Sequence, residues 1–227
     1  MISRLRGLGF VLALIGMVFI AAGAFAFIKT QEGYRSLNAF SAAQDVQLAY
    51  NEEGQLVDRG ETEGAHAILA LLTDDWRYPV VGSELDPNDP VVNTASEYMY
   101  QMATIAYHTL NGVQTVVLTE DTEFDGEIIK AGTYEFPIDG RYWSDFDREN
   151  PIEAIAREQA WTGTAHGLIG ELGVGTVTAS ALTLGLGLAA LFAGVGGAFL
   201  LTGAGLVWAT RPEKVSVPAL QMASVGI

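Results

Sequence analysis

Residues 8–28 read LGFVLALIGMVFIAAGAFAFI, an apolar run of 21 residues without a charged side chain. About 20 helical residues cross the hydrocarbon core of a bilayer, so this run predicts a transmembrane helix. A second uncharged run covers residues 172–210. At about 1.5 Å per residue, one straight helix of that length would far exceed the membrane thickness. We therefore predict the second transmembrane helix at residues 181–209, preceded by a membrane-proximal extension at residues 172–180.

Two other interpretations of these runs remain open. Arg4 and Arg6 precede the first run and Ala24-Phe25-Ala26 lies near its end, as in a cleaved signal peptide, although the run exceeds the usual apolar length of about 7–15 residues. The second run could break at residues 194–197 into two short spans. Arg211 would then lie outside, against the positive-inside rule. We favour an uncleaved anchor and a single second span.

Acidic and basic residues are separated along the chain. Of the 27 acidic residues, all but Glu213 fall within residues 32–171, which hold 26 acidic and seven basic side chains and a net charge of −19. Bases flank both ends of the chain. The positive-inside rule therefore places residues 1–7 and 210–227 in the cytoplasm and residues 29–171 outside the cytoplasmic membrane.

The charge balance and the absence of cysteine exclude several classes of partner and site. Strong acidity argues against nucleic acid or anionic lipid as a partner, and the lipid bilayer itself is the expected one. An acid-rich, lysine-poor surface is also typical of proteins from salty or GC-rich hosts. Because the chain has no cysteine, disulfides, thiolate metal sites and cysteine nucleophiles are excluded.

The acidic segment, residues 29–171, is large enough to form one domain with its own core. Apolar spacing predicts helices, and β-branched runs bounded by turn residues predict short strands. Asp89 and Pro90 look like the start of the second helix, and Asp125-Gly126 is a hairpin signal. The predicted helices cover 62–73, 91–110 and 151–171, and the predicted strands cover 46–50, 55–58, 113–119, 127–130 and 133–136, with the last two paired. The fold class is therefore a membrane-anchored α+β protein, in which two transmembrane helices flank one extracytoplasmic α+β domain with a small antiparallel sheet.

Several local motifs resemble a known group of proteins. They are Asp86-Pro87-Asn88-Asp89-Pro90, Glu97-Tyr98-Met99-Tyr100-Gln101-Met102, Gly140-Arg141-Tyr142-Trp143 and Trp161-Thr162-Gly163-Thr164-Ala165-His166. In these motifs the chain resembles uncharacterised two-span membrane proteins of actinobacteria that carry an extracytoplasmic domain. The resemblance covers most of the chain, including both spans. It implies an architecture and no activity.

The three histidines, His66, His108 and His166, all lie on predicted helices of the acidic segment. Glu63 and His66 stand three residues apart, a spacing that places a carboxylate and an imidazole on one helix face, as in two-metal helical bundles. Such bundles use the pair twice, and only one copy is present. Glu63, His66 and His108 are thus the candidate ligands of a zinc or copper site, but we predict satisfied polar groups at a helix contact and no bound metal or cofactor.

Other chemical motifs are incomplete. Residues 121–126 resemble the start of a calcium loop, but Gly132 stands where the bidentate glutamate is needed. No serine elbow or phosphate-binding loop is present. Neither apolar run contains a charged residue, so the chain offers no ion path of its own. We expect no catalytic residue, and an enzyme is the weakest interpretation.

Both apolar runs carry small residues at regular spacing. Small residues let helix backbones approach closely in a membrane, so we predict that these stripes pack together or against another membrane subunit. In the first run the glycines recur every seven residues, and in the second the small residues recur every four. The predicted packing residues are Gly9, Gly16, Gly23, Gly185, Ala189, Ala193 and Gly197.

These patterns lead to one functional prediction and one alternative. We expect a non-catalytic accessory or interaction protein of the cell envelope that presents an acidic outer domain. The alternative is an extracytoplasmic sensor that binds a metal or small ligand around His66 and His108. The identity of a partner or ligand, the physiological role and the oligomeric state are not encoded in these patterns.

Overall fold

The computed structural model describes residues 2–211; the rest of the predicted cytoplasmic tail lies outside the described residues. The described part is mostly helical, with two small antiparallel sheets. The helices are α1 (Ile2–Gln44), α2 (Thr62–Ala70), α3 (Ala95–Leu110), α4 (Pro151–Ala160) and α5 (Gly163–Ala209), with a π-helical turn at Leu71–Asp75 and a 3-10 turn at Gly82–Glu84. The strands are β1 (Val113–Leu118), β2 (Thr122–Phe124), β3 (Glu127–Ile129) and β4 (Gly132–Pro137).

Helices α1 and α5 are each long and apolar enough to cross a membrane. They are continuous over 43 and 47 residues, so the structure does not break α5 at residues 194–197. The chain divides into two compact units. One contains the helical residues 2–30 and 185–209, which we call the helix pair. The other is residues 31–184, which we call the acidic domain.

The core of the acidic domain joins α2, α3 and the parts of α1 and α5 that belong to this domain. Ile68 and Leu72 are fully buried and pack with Ala103 on α3 and with Leu37 on α1. A second cluster surrounds Ile138, and a third packs Val116 of β1 against α4. The predicted apolar face of residues 62–73 therefore does face the core, although the α-helix widens into a π turn after Ala70.

The strand pairing predicted for residues 127–130 and 133–136 is wrong. Strand β3 pairs with β2 across Asp125-Gly126, whose φ angles of 51° and 77° form the tight turn that this dipeptide favours. Strand β4 pairs with β1, from Val113 opposite Pro137 to Leu118 opposite Gly132. The β2–β3 hairpin is thus inserted between the two strands of a longer hairpin. The predicted strands 46–50 and 55–58 do not form: one isolated bridge joins Tyr50 to Leu56, while Gln47 and Asp58 form bridges with Val91 and Glu61.

Two predicted helix boundaries are also wrong. Helix α3 begins at Ala95, because the N–H of Val92 donates to Val46 O at 2.9 Å and the chain before Ala95 is not helical. Thr94 is the true N-cap. Its N–H donates to Glu97 Oε2 at 2.8 Å, and its side chain accepts from Glu97 N, which makes a capping box. The second error is at the predicted helix 151–171, which stops at Ala160 and restarts at Gly163.

Candidate functional site

The glycines of the first apolar run lie in close contact with α5. A Cβ built on Gly16 would stand 2.5 Å from Leu200 N and 2.6 Å from Gly196 O, closer than any side-chain atom can approach. A Cβ on Gly9 would meet Gly203 O at 2.8 Å, and one on Gly23 would meet Ala189 O at 2.9 Å. Backbone therefore contacts backbone at three levels, spaced seven residues apart. Only glycine allows this approach on the α1 side.

On α5 the contact surface differs from the predicted four-residue stripe. Gly185 lies against Thr30, and both Ala189 and Ala193 lie against Gly23. Gly197, in contrast, has no atom within 4 Å of the position a Cβ would take. Its neighbour Gly196 contacts α1 instead. The carbonyl groups that face Gly23, Gly16 and Gly9 are those of Ala189, Gly196 and Gly203, which repeat with the same seven-residue spacing in the opposite direction.

The structure does not assemble the candidate metal ligands. Glu63 lies in the first turn of α2, and His66 is exposed on the same helix. His108 of α3 is half-buried, and its Nε2 lies 2.9 Å from Asp58 Oδ1. Within residues 2–211, no group of three or more histidine, cysteine or acidic side chains converges as metal ligands would. The partner of His108 is thus a carboxylate 50 residues away, for which the sequence gives no local signal.

The Asp58–His108 pair belongs to a buried polar region of the acidic domain. Burial, together with the nearby Asp58 carboxylate, raises the pKa of Tyr100. Burial and the charge of Glu97 raise the pKa of Tyr50 to about 12. Burial also raises the pKa of the Glu97 carboxyl, against the opposing effect of its cap hydrogen bonds. Both phenol groups are therefore protonated and neutral at pH 7, and neither is an activated nucleophile.

Two of the sequence motifs that carry the resemblance meet in space. Tyr142 stacks on Trp161 with ring centroids 5.8 Å apart, and Trp143 meets His166 edge-on at 5.1 Å. Trp161 lies between α4 and α5, where the predicted helix 151–171 is interrupted. Its Nε1 donates to Arg141 O at 3.1 Å, which holds Trp161 in place. This packing is local and structural: it fixes the loop after β4 against the start of α5. His166 makes this aromatic contact while it stays exposed.

A cavity of about 900 Å³ lies in the acidic domain between α1, α3 and α5. The two long helices touch at one end of it, where Gly33 contacts Leu182 and Tyr34 Oη lies 3.1 Å from Thr183 Oγ1. Farther along, Tyr98 of α3 separates them. Its hydroxyl shares a 2.8 Å hydrogen bond with Ser41 Oγ, and a Cβ on Gly175 would stand 2.6 Å from its ring. Tyr98, which we call the wedge residue, lies between α1 and α5 and keeps them apart, and the cavity lies in the space left between these helices.

The walls of this cavity are mostly aliphatic and aromatic. Leu37 and Phe40 line it from α1, Ile105 from α3, and Leu172 and Val174 from α5. The polar atoms of Ser41 and Tyr98 are satisfied by each other, so they present little hydrogen-bonding capacity to an occupant. In the described part of the chain, Glu171 is the one charged lining residue. The volume is at the upper end of the range for small-molecule pockets, about 300–1,000 Å³.

The comparisons with known proteins give no family for this chain. No family model matches it, and no curated protein or solved structure is significantly similar to it. The resemblance to two-span actinobacterial membrane proteins stays a prediction. The geometry of the helix pair and of the cavity therefore carries the functional argument.

Proposed function

We propose that this chain is an integral membrane protein of the cell envelope that acts without catalysis, as an accessory or interaction protein, through its acidic domain. The observation that carries the proposal is the orientation of side chains in the helix pair. Glycines lie at the closest approach of the helices, while large apolar residues such as Phe10, Phe25 and Leu201 are exposed, the last by 75%. Side chains of this kind need an apolar surrounding, which a bilayer provides.

The charge distribution supports one orientation of the proposed anchor. Arg4 and Arg6 precede the first apolar run and Arg211 follows the second, whereas the acidic domain carries the net charge of −19. Basic residues are retained on the cytoplasmic side during insertion. Both termini would therefore be cytoplasmic and the acidic domain extracytoplasmic.

The interaction role draws support from the sheet of the acidic domain. Val113 and Val117 of β1 lie on its outward face and are exposed, while Val116 on the opposite face is fully buried against α4. Ile128 of β3 is exposed as well. These exposed apolar side chains offer apolar area for a protein contact on an otherwise acidic surface.

The cavity favours a second candidate function, the binding of a small ligand. Its volume and apolar walls are those of a site for a lipophilic molecule. Binding of a metal by such a sensor has no geometric support within residues 2–211. Glu63, His66 and His108 do not come together there as metal ligands.

The orientation is tested by cysteine labelling, which has no background because the chain lacks cysteine. We expect Glu123→Cys, at an exposed position of β2, to react in intact cells with a membrane-impermeant thiol reagent. Ser216→Cys, in the tail outside the described residues, should react only after the cells are opened. Labelling of Ser216→Cys alone in intact cells would reverse the orientation.

The interaction role is tested by a photo-reactive amino acid placed at Val117 in the full-length chain in its own host. We expect a discrete cross-linked product with another envelope protein. The matched control is position 116, which is buried on the other face of the same strand and should give none. Equal cross-linking at 116 and 117, or only uncross-linked chain at both, would contradict the proposed role of this face.

A further inference from the structure

We propose that the cavity between α1, α3 and α5 holds an acyl chain of a bilayer phospholipid, so that the acidic domain binds a membrane lipid. This inference rests on the proposed membrane anchoring and goes beyond it, since an anchor alone needs no cavity. The proposal stands on the position of the cavity along the helices, on the chemistry of its walls and on the charge of its lining.

The position of the cavity follows from helix geometry. The first lining residue of α1, Gly33, lies five residues beyond Ile28, about 7.5 Å along the helix axis at about 1.5 Å per residue. The headgroup layer outside the hydrocarbon core is roughly 5–7 Å thick on each side. On α5 the lining ends at Thr178, three residues before the expected span begins at Ala181. Both long helices thus carry the cavity directly beyond the apolar spans, within reach of an outer-leaflet lipid.

The walls are suited to a hydrocarbon chain. Most of the large lining side chains are apolar, and the buried hydroxyls of Ser41 and Tyr98 bond to each other. Phe40 and Val174 line the cavity and are also exposed, which marks its open side. Because Gly33 and Leu182 close the gap between the long helices, a chain would enter from this open side rather than along the helix axes.

The charge of the lining residues determines which headgroup charge the bound lipid can carry. Within residues 2–211 no lysine or arginine lines the cavity, and Glu171 contributes a negative charge. A net anionic headgroup would therefore find no counter-charge and would be repelled. A zwitterionic phospholipid has no net charge, and its cationic end group can face Glu171. A phosphatidylcholine is thus a suitable probe.

The test uses the full chain in phosphatidylcholine vesicles doped with phosphatidylcholine that bears a diazirine near the end of one acyl chain. After irradiation, labelled peptides are mapped by mass spectrometry. The spans are expected to react in any case, since lipid surrounds them. The diagnostic site is α3, which belongs to neither long helix but places Gln101 and Ile105 in the cavity wall. We expect α3 to be labelled at these residues.

Two valines on α5 provide a matched pair of variants. Val174 lines the cavity and is 68% exposed, whereas Val177 is 69% exposed and is not a lining residue. Val174→Asp places a charge at the open side, and we expect it to lower labelling of α3 at least fivefold relative to the spans. Val177→Asp should leave the ratio unchanged, and equal melting temperatures will show that both variants fold.

Each outcome decides between the two proposals. Labelled spans with an unlabelled α3, or an α3 signal that Val174→Asp does not reduce, would overturn the lipid site and leave the anchor intact. Spans that remain unlabelled would contradict the anchor itself. Labelling of α3 by a free diazirine fatty acid but not by the phospholipid would show that the occupant does not come from the bilayer.

Discussion

The helix pair and the acidic domain are packed in opposite ways. In the helix pair the smallest side chains lie at the contact, and large ones such as Phe10 and Leu201 face outward. In the acidic domain large side chains such as Ile68 and Leu72 are fully buried, and carboxylates cover the surface. The difference shows which force holds each region. Burial of apolar area stabilises the acidic domain, whereas close van der Waals contact stabilises a pair whose outer surface is expected to stay in lipid.

The two regions should therefore respond to opposite changes in side-chain size. Removing atoms from a buried position of the acidic domain leaves a cavity, while adding a single carbon at the contact of the helix pair forces the backbones apart. The following variants test this contrast, and stability is measured as the free energy of unfolding in mild detergent.

The largest effect is expected from Ile68→Ala. The side chain of Ile68 is fully buried in the core of the acidic domain, so its truncation should cost about 3–4 kcal/mol, within the usual range for such cavities. The control is Ile128→Ala on the exposed surface of β3, which should change stability by less than about 0.5 kcal/mol. Similar values for both would show that the assigned core does not carry the stability of this domain.

The second prediction concerns adjacent glycines of α5. Gly196→Ala should destabilise the chain by about 1–3 kcal/mol, because the new Cβ would lie 2.7 Å from Gly16 O. Gly197→Ala should be neutral or stabilising by up to about 1 kcal/mol, since its Cβ meets nothing and alanine is the better helix former. The two variants thus differ in sign. A destabilising Gly197→Ala beside a neutral Gly196→Ala would place the contact surface on the other face of α5.

A smaller effect is expected at the start of α3. Thr94→Ala removes the cap side chain that bonds to the backbone and to Glu97 Oε2, at a cost of about 1 kcal/mol. Thr104→Ala, within the same helix, should have less effect because the Thr104 hydroxyl only back-bonds to Tyr100 O. An equal loss in both variants would mean that the capping box contributes nothing specific.

The smallest effect is a pH dependence. Burial raises the pKa of Glu97, so the folded state binds this proton more tightly than the unfolded state does. The resulting stabilisation is present below the ordinary glutamate pKa and is lost as the pH rises through the raised value. We expect Glu97→Gln to remove this loss from the stability–pH curve, whereas Glu123→Gln on the exposed β2 should not. A Glu97→Gln curve parallel to that of the parent would contradict the assignment.

The sequence predicted those features that depend on composition and on local spacing. Charge-free runs showed the two long helices, and Asp125-Gly126 showed the hairpin turn, because a turn depends on only a few neighbouring residues. The start of α3 was also encoded locally, since Thr94 and Glu97 form the capping-box spacing. It was assigned to Asp89 and Pro90 because proline at the first helical position is an equally local signal.

Features that depend on distant residues were not predicted. The sequence permits β3 to pair with β4, and only the register of β1 with β4 excludes that pairing. Nothing local connects Asp58 to His108, and nothing marks Tyr98 as the wedge of a cavity. On α5 the glycines at 196 and 203 were visible, but small residues were so frequent that the four-residue spacing looked equally good. The glycines of α1 recur every seven residues, and this favours the seven-residue spacing on α5. Two antiparallel helices that stay in contact along their length must have contact residues at the same spacing.

That shared period has a consequence for how the two helices find their alignment. Three equivalent contact levels, at Gly9, Gly16 and Gly23, mean that sliding one helix by seven residues superposes glycine on glycine again and loses only one level. A slipped hairpin is therefore the nearest competing state. The contact of Thr30 with Gly185 does not repeat at this interval, and it is satisfied in one alignment alone. This irregular contact therefore sets the register of the two helices, because it forms in the correct alignment and not in the shifted ones.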